Sequence, residues 1–143
     1  MKFQTFVNEN KNTVAVKVED AKTEYLAEFC NFYKKYNMYP DMSLFDEFLA
    51  AYGEQIDKMI GIATCNVEAG DNFNVVFGES LARERYLKVF ETYRINMYDM
   101  MVAKIDNMML GAFSKMQHCD ARRKERADKI KNKIESLKNN EKK

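Results

Sequence analysis

The single histidine, His118, sits beside one of three cysteines, Cys119, and this pair is the simplest nucleophile and base the sequence offers. Adjacent residues on a helix point about 100° apart, so the two side chains would not share a proton, and an exposed surface pair is expected instead. Cys30, Cys65 and Cys119 are odd in number, widely spaced and not arranged as CxxC. They signal neither a disulfide framework nor a zinc site, and reduced thiols are expected. The carboxylates Asp41, Asp46 and Glu47, and separately Glu79 and Glu84, offer pairs for acid–base work or for a hard metal ion. Solvation of helix surfaces accounts for the same residues. No HExxH, DxDxDG, GxSxG, GxGxxG or Walker lysine pattern occurs, so the sequence predicts no catalysis, no cofactor and no metal.

The elements that would position these groups follow from residue periodicity. Residues 3–7 and 13–18 alternate at period two, with Val14, Val16 and Val18 on one face and Asn-Glu-Asn-Lys-Asn turn chemistry between them, which predicts a β-hairpin. Asp20 is placed to cap a helix over about 21–36, whose stripe of Tyr25, Phe29, Phe32 and Tyr36 should face the sheet. The only proline, Pro40, ends that helix region. Ser43 with Asp46 resembles a capping box for a second, short helix carrying Leu44, Phe45, Phe48, Leu49 and Tyr52, with Gly53 as its stop. Residues 58–65, KMIGIATC, suit a third strand because Gly61 and Thr64 weaken helical propensity, and a loop is expected over 66–70.

From about Val75 the pattern changes: Phe77, Leu81, Tyr86, Phe90, Tyr93, Met97, Met101, Ile105 and Met108 step by three to five residues with no proline. An unbroken helix to about Gln117 would be roughly 60 Å long, more than one small domain covers, so part of it should meet something else. Ala127, Ile130, Ile134 and Leu137 continue the spacing as a narrow coiled-coil seam, or Asp120 caps a separate final helix folded back on the first. The expected class is α+β: a small antiparallel sheet with two short helices over residues 1–74, a long helical arm or helical hairpin over 75–138, and a frayed tail over 139–143. A homodimer through the long helix is expected, since an exposed apolar row invites self-association.

Of the 143 residues, 46% are hydrophobic and 31% charged, the balance of a globular protein. No run approaches the roughly eighteen apolar residues of a membrane span, and the N-terminus lacks a signal-peptide core, so a cytoplasmic protein is expected. Charge is uneven: residues 119–143 hold ten Lys/Arg against five Asp/Glu, and the preceding residues thirteen against seventeen. Arg122, Arg123, Lys124, Arg126, Lys129 and Lys133 could neutralise nucleic-acid phosphates, although no aromatic residue joins them for base stacking and acidic residues intersperse them. The methionines Met97, Met100, Met101, Met108, Met109 and Met116 suit either a core or an adaptable binding face.

Gly61, Ala63, Asp71, Phe73, Gly78, Ala82 and Arg85 form a Gly-x-Ala strand, then Asp-x-Phe, then glycine, alanine and arginine on a helix. This segment, about 25 of the 143 residues, resembles a motif of small, mostly uncharacterised bacteriophage and prophage proteins. Each position also has a packing explanation; Gly78 and Ala82, four apart, would let the helix lie close against a strand. The resemblance implies a phage or prophage accessory protein in the host cytoplasm. The expected function is non-catalytic binding of a host protein or ribonucleoprotein, such as inhibition of a CRISPR effector, through Met100, Met101, Met109, Arg122, Arg123 and Arg126. The alternative is a nucleic-acid-binding protein of phage replication or gene control.

Overall fold

Strands β1 (Phe3–Asn8) and β2 (Thr13–Val18) pair antiparallel, Phe3 against Val18 through Asn8 against Thr13, with a single 3-10 turn, Glu9–Lys11, between them. Asn12 closes the turn at φ 49°, a left-handed conformation that asparagine tolerates. The structure is a computed structural model that describes residues 1–65 and 74–141. The loop expected at 66–70, and Asp71 and Phe73 of the phage-like motif, lie outside the described residues. As the period-two pattern predicts, Val14, Val16 and Val18 all point inward and are buried.

Helix α1 (Ala21–Lys35) starts where Asp20 accepts hydrogen bonds from the Thr23 backbone N–H (3.3 Å) and hydroxyl (2.6 Å). Those bonds hold the Asp20 carboxyl below its usual range. The buried stripe is Tyr25, Phe29 and Tyr33; Phe32 is half-buried and Tyr36 exposed. This differs from the expected stripe because helices, not the sheet alone, cover this face. Phe29 packs on Phe45 of α2 (Met42–Asp57), and Tyr25 stacks on Phe90 of α3 (Val75–Glu141) with ring centroids 4.3 Å apart. The buried Tyr25 hydroxyl donates to the Phe90 carbonyl at 2.8 Å.

Two local expectations for α2 are corrected. Its cap is Asp41, whose side chain accepts from the Leu44 N–H at 3.2 Å, and Ser43 lies inside the helix. Gly53 does not stop it: the helix continues to Asp57, with Gly53 buried against Lys22, which bridges to Asp57 at 2.8 Å. A glycine within a helix costs only about 1 kcal/mol, and the packing against α1 outweighs it.

Strand β3 (Gly61–Thr64) pairs antiparallel with β2, giving the order β1-β2-β3. Asn74 begins α3 by accepting from the Phe77 N–H at 3.1 Å. Ala82, Tyr86, Phe90, Met97 and Met101 face the core, each large side chain contributing about 1.5–3 kcal/mol on burial. Arg94 ties α3 to α1 by donating from Nε to Glu28 at 2.6 Å. No break occurs at Asp120, so the folded-back final helix is not formed, and the helix persists through residues 139–141 that the sequence assigns to a tail.

The chain divides into two units, Met1–Met101 and Val102–Lys143. The first therefore includes 27 residues of α3, whereas the expected core ended at residue 74. An α+β fold with a three-stranded antiparallel sheet, two short helices and a long C-terminal helix matches the expected class.

Candidate interaction surface

The motif from Gly61 to Arg85 resolves into packing at its described residues. Gly61 of β3 lies directly under α3: a Cβ there would collide with the Ala82 carbonyl oxygen and sit 2.8 Å from the Tyr86 nitrogen. A Cβ on Gly78 would come within 2.9 Å of Val14 Cγ2 on β2. Gly78 and Ala82, one helical turn apart, thus bring α3 onto the sheet as their spacing predicts. Ala63 is buried, and Arg85 donates to the Ile62 carbonyl at 2.7 Å. Every described member of the motif is accounted for without a ligand.

The candidate chemical residues do not converge. His118 and Cys119 are both exposed. Asp41 caps α2, Glu79 pairs with Arg83 at 2.6 Å on the same helix, and Asp46, Glu47 and Glu84 face solvent. Among the described residues no group of three or more His, Cys, Asp or Glu could hold a metal, and no polar or charged residue is buried. Burial raises the hydroxyl pKa of Tyr25 and pushes that of Tyr86 up to about 12, a consequence of core packing.

What the structure does present is a row of large side chains without cover. Of the six partner-binding residues expected from sequence, Met101 is 2% exposed and Met100 packs against the core, so neither belongs to a free surface. Met109, at 62%, is exposed, and Arg122, Arg123 and Arg126 are exposed with it. Lys124, Lys129 and Lys133 of the nucleic-acid alternative face solvent too.

Within residues 102–141, one set of exposed apolar side chains follows a seven-residue repeat, while Ile105, Met108 and Leu110 lie off it. Met109, Phe113 and Met116, then Ala127, Ile130, Ile134 and Leu137, step alternately by three and four residues along one stripe. The two positions that continue the stripe across the gap are Asp120 and Arg123. They form an ion pair at 2.5 Å, and Lys124 adds a second contact to Asp120 at 3.2 Å. Among the described residues of this stretch only Asp120 is partly buried. The sequence offered Met109 and Met116 as part of a methionine face and the apolar block after Ala127 as a seam, but Phe113 and the charged pair that joins the two blocks were not singled out. The signal was the unbroken three-and-four spacing through Asp120, hidden because two charged residues interrupt it.

No helix among the described residues is long and apolar enough to cross a membrane. No protein-family model, no curated protein and no solved structure matches this chain.

Proposed function

We propose that this protein acts by binding rather than by catalysis, with residues 102–141 as its working surface. The carrying observation is the stripe of Met109, Phe113, Met116, Ile130, Ile134 and Leu137, each between 48% and 63% exposed among the described residues. Burial of such side chains is worth about 1.5–3 kcal/mol apiece, a driving force held in reserve for association. The chain forms a homodimer through this helix, and the dimer engages a protein or ribonucleoprotein of a bacterial host. Its class is that of a phage or prophage accessory protein, such as an inhibitor of a CRISPR effector. The phage origin is supported by the motif at Gly61, Ala63, Gly78, Ala82 and Arg85; the anti-defence role follows from that origin as a class argument.

The test uses the full chain and an F113E/I134E variant as baits in host extract, with circular dichroism confirming equal helicity. One host complex retained by the wild type, lost by the variant, and inhibited by the purified wild type supports the reading. Identical retention by both baits, or inhibition that survives the variant, overturns it.

A second reading is favoured by the exposed basic residues Arg122, Lys124, Arg126, Lys129 and Lys133, which suit phosphate contacts. Binding of duplex or single-stranded DNA that falls steeply with added salt would promote it. Absence of binding at low salt removes it.

A further inference from the structure

We infer that the second copy docks antiparallel, in one register, with Asp120 of each chain facing the partner's Arg123. The inference deepens the dimer reading above and depends on it. In an antiparallel pair of helices the two seam positions of the heptad face each other, so residue numbers across every core layer have a constant sum. Setting Asp120 opposite the partner's Arg123 fixes all the other layers.

The three layers that follow are complementary in size and chemistry, and beyond them Leu137 meets the partner's Asp106 at the end of the seam. Met116 meets the partner's Ala127, a long flexible side chain over a small one. Phe113 meets Ile130 of the partner, and Met109 meets Ile134 of the partner. The two-fold axis then passes between residues 121 and 122.

The flanking charges select the same orientation. On the C-terminal half of the segment five of the six positions beside the seam are basic, Lys124, Arg126, Lys131, Lys133 and Lys138, and the sixth is Asn140. On the N-terminal half they are Ile105, Leu110, Ala112, Gln117 and Cys119, all uncharged. An antiparallel pair lays the basic half over the uncharged half: Lys131 along the partner's Leu110, Lys133 along Ala112, with aliphatic stems covering apolar surface. A parallel pair instead places Arg126 beside the partner's Lys131 and Lys133 beside its Lys138, and stacks Asp120 on Asp120 and Arg123 on Arg123. Like charges at those positions oppose association, and they set partner orientation in coiled coils.

Disulfide trapping tests this. In a C119S background, whose own oxidation with diamide provides the baseline, cysteines are introduced as M116C, as A127C, or as both on one chain. Covalent dimer from the doubly substituted chain, or from the two single variants mixed, with none from either single variant alone, is the expected result. Covalent dimer from M116C alone means a parallel pair and overturns the antiparallel register while leaving the dimer intact. A monomer in sedimentation at high micromolar concentration overturns the dimer reading itself, and the register with it. As a second arm, D120R should weaken the dimer by about tenfold or more, and D120R/R123D should restore it, because the charges then exchange across the interface. The substituted positions, 116, 119, 120, 123 and 127, all lie on the part of the helix outside the core, so the variants fold. No recovery by the exchanged pair counts against the assignment.

Discussion

Gly61 of β3 lies so close beneath α3 that the Ala82 carbonyl occupies the space a Cβ at residue 61 would need. The neighbour is helix backbone, which cannot rotate aside. G61A should therefore destabilise the protein by about 1–3 kcal/mol or more through forced separation of strand and helix. Urea unfolding reads the change directly. Wild-type stability in G61A would mean that α3 does not rest on β3 at this point.

The same helix is dense with partners at Phe90 and bare at Phe113. F90A should cost about 3–5 kcal/mol, because it empties the space stacked on Tyr25. F113A should change folding stability by less than about 0.5 kcal/mol at concentrations where the monomer prevails. Paired urea titrations decide it, and equal losses would contradict the boundary at Met101.

Tyr25 donates to the Phe90 carbonyl inside the core. Y25F removes the donor and should cost about 0.5–1.5 kcal/mol, less than the truncation of Phe90, since the carbonyl keeps its place in a helix. Thermal unfolding of Y25F beside F90A gives the ordering.

Burial moves the Tyr86 hydroxyl from its ordinary value of 10.0 up to about 12. The neutral phenol is the form the fold prefers, so its stabilising effect is fully present below pH 10 and fades as pH rises towards 12. Unfolding free energy should be flat from neutral pH to about pH 9 as far as this group is concerned, and fall above pH 10 by up to about 1.4 kcal/mol per pH unit for this one tyrosine. Chemical denaturation at a series of alkaline pH values, with tyrosinate absorbance followed in parallel, tests the slope. Loss of the Tyr86 contribution below pH 9 would refute it.

Arg94 joins Glu28 of α1 to Glu91 of α3, and those hydrogen bonds raise its pKa, Glu28 contributing most. The guanidinium is 42% exposed, so solvent screens the pair. A double-mutant cycle with E28Q and R94M should give a coupling of about 0.5–1 kcal/mol that shrinks in high salt. A salt-independent coupling would point to packing instead of charge.

Local chemistry was legible wherever one residue type does one job. The hairpin, the Asp20 cap and the closeness permitted by Gly78 and Ala82 could all be read off directly. Misreadings came where two residues offered the same chemistry. Asp41 and Ser43 can each cap a helix, and a glycine such as Gly53 can end a helix or let another helix approach. Phe32 and Tyr33 lie 100° apart on α1, and only the positions of α2 and α3 select which is buried. The candidate surface was half visible: the apolar repeat was clear after Ala127, but Asp120 and Arg123 masked its continuity.

By itself the sequence determined the order and type of the elements, because valine alternation, side-chain caps and a proline-free apolar period act within a few residues. Burial along α3 was settled by tertiary structure alone. Met101 and Met108 share residue type and the same helical series, yet one is 2% exposed and the other 61%. A side chain is buried by what other elements bring to it, and periodicity records only the direction in which it would be covered.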